Sequence, residues 1–215
     1  MYLTWDNQII TDFSDQNIEK LYNQGFLFTR QGKGQTYQTR SVRVRLADFS
    51  LTSENRRIQR KSPTLHLTPQ PLPLKDYDWT IGKLAKDFYE TKFGLKTFTA
   101  NKIKQLLTGD DNFNQLLIFS QEGQTRGYCI CRETKNLLHY SYPFYYYQQY
   151  KDLGMRMMLQ AVLYAQDRNK KFIYLGSAQR PTDVYKLQFS GLEWFDGKKW
   201  QTDLDSLKEI LQKST

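Results

Sequence analysis

The stretch that most restricts the fold lies between residues 114 and 176. Three runs, "NQLLIFSQ", "TRGYCICRE" and "NLLHYSYPFYY", read as strands joined by tight turns at "EGQ" and "TKN". A long helical pattern, "YKDLGMRMMLQAVLYAQDRN", follows, and then a short strand, "KFIYLG". Two helical patterns precede the strands, "WTIGKLAKDFYETKFG" and "TANKIKQLLTG", closing at Gly94 and Gly109. Beyond it, "LEWFDGKKWQTD" resembles a hairpin turning at Asp196-Gly197, and a last helix runs from 203 to 213. Helices and strands therefore share one segment, which predicts an α+β domain with a mixed, largely antiparallel sheet.

The first third reads differently. Ile18, Leu21 and Tyr22 recur at helical spacing before Gly25, which is placed to stop the helix; "FLFT" reads as a strand and "RQGKGQ" as a turn. In "TYQTRSVRVRLADF", Val42, Val44 and Leu46 alternate with Ser41, Arg43 and Arg45, so one face is expected inside and the other is expected to present guanidinium groups. A short helix is expected from Ser53 through Arg60. "KSPTLHLTPQPLPLKDYDW" holds four of the six prolines and reads as an extended connector. The expected organisation is a small basic module over 1–66, a connector over 67–75 and a larger domain over 76–215.

Residues 30–61 carry nine Lys and Arg against Asp48 and Glu54, within a chain of net charge +9. A patch so concentrated points to an anionic partner such as nucleic acid, the alternative being a solvated face. Aromatic residues make up 15% of the chain, so packing is expected to lean on rings. No apolar run approaches the ~20 residues that span a bilayer, and "MYLTWDNQII" lacks a basic start followed by an apolar stretch; a cytoplasmic protein without a membrane partner is expected. Cys129 and Cys131 are two apart on a strand, which predicts opposite faces and neither a disulfide nor a metal site. With His66 and His139 the only histidines, a His-rich metal or catalytic cluster is excluded.

Several segments together resemble the arginyl- and leucyl-tRNA:protein transferases. "LYNQGF" is similar to that family's "L-x-x-x-G-[FW]", and "FSLTSENRRIQRK" to its "F-x-P-S-R-S-Q-R-R-x-x-R-[RK]", matching at Phe49, Arg56, Arg57, Arg60 and Lys61. "DLGMRMMLQAVLYAQDRNKKFIYLG" resembles its helix-strand unit at Leu153, Gly154, Leu159, Ala165, Tyr174, Leu175 and Gly176, and "YKLQF" its "Y-K-x-x-F". The resemblance runs discontinuously from about residue 20 to 190, in the family's order. It agrees with the element order of the C-terminal part, two helices, a meander, a long helix and a strand, which is that of a GNAT-type acyltransferase domain. The family's N-terminal cysteine cluster is missing, and its "C-x-K-M" is replaced by "QRPTDV", so no metal is expected.

The resemblance implies transfer of an amino acid, arginine being the favoured one, from aminoacyl-tRNA to the N-terminal α-amine of a protein or peptide. Such an ester is already activated, and an α-amine with a reference pKa of about 7.7–8 is partly neutral near pH 7. Positioning and an oxyanion donor then suffice, with no cofactor beyond the aminoacyl-tRNA co-substrate. The resemblance implies catalytic roles for Tyr185 and Lys186, with Lys186 answering the terminal phosphate or the developing oxyanion; the alternative is plain packing. Arg56, Arg57, Arg60 and Lys61 are expected to clamp tRNA phosphates, extended by Arg43 and Arg45. Tyr140 and Tyr142 are expected either to stack on the terminal adenine or to form a buried aromatic strand. Gly176 and Gln188 complete the expected binding set, Gly176 through close backbone approach. Two other functions remain open, RNA binding without transfer and coenzyme A-dependent N-acylation. Against the latter, "YKDLGMRM" lacks the glycine-rich loop that would hold a pyrophosphate.

Overall fold

The computed structural model of the protein describes residues 3–60, 64–147 and 152–213. Strands β1 (Asp6–Ile9), β2 (Phe26–Phe28) and β3 (Gln35–Gln38) form a small antiparallel sheet in the order β1-β3-β2, with helix α1 (Asp15–Asn23) between the first two. The helix starts where the Ser14 hydroxyl accepts from the Asn17 amide, and stops before Gly25, whose φ is +83°. Gly25 is required twice over, since a Cβ there would lie 2.2 Å from the Phe195 ring.

Strand β4 (Ser41–Arg45), helix α2 (Ser53–Arg60), strand β5 (His66–Pro71) and helices α3 (Trp79–Phe93) and α4 (Ala100–Thr108) follow. Next come β6 (Gln115–Gln121), β7 (Gln124–Glu133), β8 (Leu137–Tyr145), helix α5 (Leu153–Asp167) and β9 (Phe172–Ser177). A 3-10 segment (Pro181–Gln188), β10 (Leu192–Phe195), β11 (Trp200–Gln201) and helix α6 (Leu204–Lys213) close the chain. The main sheet has the order β11-β10-β4-β9-β8-β7-β6-β5. Every neighbouring pair in it is antiparallel except β8 and β9, because α5 carries the chain back across the sheet before β9 begins. The architecture is thus α+β with a mixed, largely antiparallel sheet of GNAT-like order. Leu153, Met157, Met158, Leu159, Ala161, Val162 and Ala165 form the buried stripe of α5, which packs on β8; each large member contributes roughly 1.5–3 kcal/mol through burial.

Three expectations change. The expected basic module is not separate, because β4 lies between β9 and β10 and its Val42 and Val44 belong to the same hydrophobic core as Ile173 and Leu192. The proline-rich run is an edge strand rather than a connector. Leu72 bonds through its amide toward Asn114, so Pro69 and Pro71 turn their missing N–H groups to the side that has no partner strand. Cys129 and Cys131 do not diverge: both are fully buried with their Sγ atoms 3.6 Å apart, because residues two apart on a strand point to the same face. No described helix is long and apolar enough to cross a membrane.

Candidate active site

Strands β8 and β9 pair only at Leu137–His139 and Phe172–Tyr174, although both continue. Ile130 lies opposite Tyr142 and Cys131 opposite Tyr140, which leaves Ser141 as an extra residue in β8. A bulge bends the strand that carries it, and beyond this one β8 leaves β9 and a cleft of about 1020 Å³ opens between them. The end of α3, the start of α5 and the 3-10 segment wall the cleft.

Lys186 is buried in that wall. Its Nζ donates to the Ser177 carbonyl at 2.6 Å and stands 3.7 Å from Asp183 Oδ1. Burial lowers its pKa, and the Asp183 carboxylate opposes the shift. Asp183 in turn accepts the amides of Gln179 and Arg180 at 2.9 and 3.0 Å, which fixes the turn that delivers Lys186. Gly176 has φ +80°, a backbone state that favours glycine, and it redirects the end of β9 beneath the lysine. Tyr185 stands on the cleft rim with 40% of its surface exposed. Gln188 reaches the Tyr185 carbonyl at 2.7 Å and Met155 Sδ at 3.5 Å, so it braces the segment against α5 and does not line the cleft.

Tyr140 lines the cleft while only 2% exposed, and its hydroxyl has no partner among the described residues. Burial raises its pKa well above the usual tyrosine range, so it remains a neutral donor. The Tyr140 ring is too enclosed to stack on a base, whereas Tyr142 is half-buried, lines the cleft and is held edge-to-face by Phe98 and Phe113, at 5.5 and 5.4 Å.

His139 was not singled out as a site residue by its place in the sequence, yet it lines the cleft beside Lys186. The Tyr22 hydroxyl accepts the Phe28 amide at 3.3 Å and lies 2.9 Å from His139 Nδ1. Burial, with Lys186 beside it, lowers the imidazole pKa to about 3, so His139 is neutral and shares one proton with the Tyr22 hydroxyl. Lys92, Arg30 and Arg180 line the same space from α3 and two loops. Their signal in the sequence was faint: Lys92 precedes Phe93, while Arg30 and Arg180 stand alone in "TRQ" and "QRP" without an aromatic neighbour.

Helix α2 begins with reciprocal bonds between Thr52 and Asn55, buries Asn55 and Ile58, and exposes Arg56, Arg57 and Arg60. Arg56 donates to the Leu51 carbonyl and Arg57 pairs with Glu54. Helix α2 packs on α5, and Arg57 feels the carboxylate of Asp152 at the start of α5, although no described α2 side chain lines the cleft itself. Lys61 lies outside the described residues.

Arg43 and Arg45 do not extend this face. Arg43 is 5% exposed, donates to Glu193, Asn23 and the Tyr174 hydroxyl at 2.7–3.0 Å, and sits between the Phe172 and Trp200 rings at 3.9 and 3.8 Å. Arg45 pairs with the same Glu193 and with Asp48. Trp200 of the C-terminal hairpin covers Arg43, which neutralises a buried carboxylate and is not presented to RNA, whereas Arg45 keeps about half of its side chain exposed.

No family model matches the chain, and no curated protein matches it. Among solved structures it is similar to L-PGS from Bacillus licheniformis, with 10% identity, a TM-score of 0.49, and coverage of 92% of this chain and 70% of that one. It is similar to the C-terminal domain of a putative lysylphosphatidylglycerol synthetase from Agrobacterium fabrum, with 12% identity, a TM-score of 0.47, and coverage of 77% and 52%. A GCN5-related N-acetyltransferase from Kribbella flavida aligns with 12% identity and a TM-score of 0.40, over 73% of this chain and 54% of that one.

Proposed function

We propose that the chain transfers an amino acid from aminoacyl-tRNA to the α-amine of a protein or peptide, with arginine as the expected donor and no cofactor. The observation that carries this reading is the cleft itself, where buried Tyr140 offers an unpaired hydroxyl beside His139 and Lys186, with the arginines of α2 on a helix that packs against α5. In the transfer, the amine nitrogen bonds to the ester carbonyl carbon and the carbon–oxygen bond to the terminal ribose breaks. The proton that the nitrogen loses goes to the departing ribose oxygen. Tyr140 O–H is a neutral donor suited to the oxyanion formed on the way, with the neutral His139 imidazole beside it, and Lys186 supplies a nearby positive field. The exposed Asp152 carboxylate at the cleft supports a guanidinium-bearing donor over leucine.

Coenzyme A fits the same cleft poorly. A diphosphate would be drawn to the first turn of α5, but Asp152 places a carboxylate at its N-terminal position, which repels one, and the Tyr145 hydroxyl lies 2.4 Å from where a Cβ of Gly154 would stand. The test is single-turnover transfer from a panel of pre-charged tRNAs to a peptide amine, beside tRNA binding, in the wild type and in Tyr140→Phe. The variant removes only an unpaired hydroxyl, so it is expected to fold and bind tRNA normally while transfer falls about ten- to a thousand-fold. Binding without transfer in the wild type would favour the RNA-binding alternative, and transfer from acetyl-coenzyme A would favour N-acylation. An unchanged rate in Tyr140→Phe would remove the oxyanion role.

A further inference from the structure

One lip of the cleft is built from aromatic rings interleaved with cations. Phe93, at the end of α3, exposes 43% of its surface and stacks on Tyr89 at 5.7 Å. Tyr147, just beyond β8, exposes 48% and rests edge-on against Phe88 at 6.1 Å. Each exposed ring is therefore buttressed by a buried one, which holds it in place as a rigid platform. Lys92 Nζ lies 5.4–5.9 Å from the centroids of Phe88, Phe93, Tyr145 and Tyr147, and the Arg180 guanidinium lies 5.5 Å from that of Phe93. The carboxylates that line the cleft are Asp152 and Asp183, and Asp183 is already held by Lys186 and two backbone amides. The lip thus combines open ring faces with an excess of positive charge.

We infer that this lip is a nucleobase-binding site that takes the single-stranded 3′ end of an RNA, with bases stacked on Phe93 and Tyr147 and phosphates met by Lys92 and Arg180. The inference rests on the aminoacyl-tRNA reading above and adds to it the place where the last nucleotides sit. Planar faces accept any base, while interleaved cations follow the phosphodiester chain, a combination suited to single strands. An apolar peptide would use the rings and leave the two cations without partners. The site also replaces the stacking role expected of Tyr140, whose ring is enclosed, and of Tyr142, whose ring is held edge-to-face by Phe98 and Phe113.

The probe is a fluorescent tetranucleotide, ACCA RNA, compared with the same backbone lacking its bases and with whole uncharged tRNA. Wild type is expected to bind ACCA at least about tenfold more tightly than the abasic strand, since each stacked base carries a substantial share of such affinity. Phe93→Ala and Tyr147→Ala should each lose about tenfold for ACCA, while Tyr147→Phe, which keeps the ring, should retain it. Whole tRNA should lose less, because α2 remains. If tRNA binds and the alanine variants hold ACCA as tightly as wild type, the platform is wrong and the aminoacyl-tRNA reading stands. If wild type binds neither tRNA nor ACCA, both are overturned. Equal affinity for ACCA and its abasic form also overturns the platform, reducing the lip to phosphate contacts.

Discussion

At the scale of single residues, the cleft concentrates groups whose charge states have been moved by burial. His139 is held neutral by desolvation, with Lys186 adding to the shift, and its pKa falls from 6.5 to about 3. The folded protein therefore declines a proton that the unfolded chain accepts, so stability is whole above about pH 6.5 and is lost as the pH falls toward 3. The slope approaches about 1.4 kcal/mol per pH unit, so between pH 7 and pH 4.5 this histidine alone should cost roughly 2.7 kcal/mol. Denaturant unfolding of wild type and His139→Gln at the two pH values measures it. The variant retains an acceptor for Tyr22 and should show a correspondingly flatter dependence; parallel profiles would mean that the imidazole titrates normally in the fold. Lys186 shifts in the same stabilising direction with rising pH, because its folded pKa is lowered, but its window lies at alkaline pH, below the unfolded lysine value.

At the scale of elements, α2 and β4 both carry arginines and do opposite things with them. On α2 the guanidinium groups stand outside a helix anchored by Ile58, whereas on β4 Arg43 is enclosed by Glu193, Asn23 and three rings. Arg56→Ala with Arg57→Ala should weaken tRNA binding and lower the log–log salt slope by about one to two, with little change in melting. Arg43→Met should leave the slope unchanged and destabilise the fold by about 3 kcal/mol or more, because one partner of a buried ion pair has been removed. The reverse pattern, with Arg43 moving the salt slope, would show that β4 meets RNA after all. This contrast marks how far the sequence could be read. Local periodicity identified the α2 helix and the meander, because both depend on neighbours a few residues away. The fate of Arg43 depends on Glu193 and Trp200, some 150 residues on, and nothing in "RSVRVRL" announces them. The same holds in the site: "YKLQF" pointed to Lys186, but Tyr140 changed role because the bulge at Ser141, invisible in strand alternation, decides what it faces. The cysteine pair was misplaced for a different reason: residues two apart on a strand share a face, so their spacing already placed them together.

At the scale of the whole molecule, the insertion of β4 into the main sheet binds the two ends of the chain into one unit. On one side β4 pairs with β9, which forms a wall of the cleft, and on the other with β10, so without it these two strands would face an unfilled gap. Val42 and Val44 are fully buried there, and Arg43 is the counter-ion of buried Glu193. Removing residues 1–66 therefore exposes two strand edges, opens the core and leaves a carboxylate without its principal partner. The fragment 76–215 should accordingly show no cooperative thermal transition and no transfer, even though it retains Tyr140, Tyr185 and Lys186. It also lacks β5, but that strand lies at the sheet's far edge, so the fragment 64–215, which restores β5 without β4, should fail equally. Calorimetry and the dispersion of amide resonances distinguish the outcomes. A cooperative transition in 76–215 would show that the cleft stands on the meander and α5 alone. Failure of both fragments, with recovery when residues 3–60 are supplied as a separate chain, would show that the site depends on a strand contributed from 136 residues away in sequence, between Ser41 and its partner Ser177 on β9.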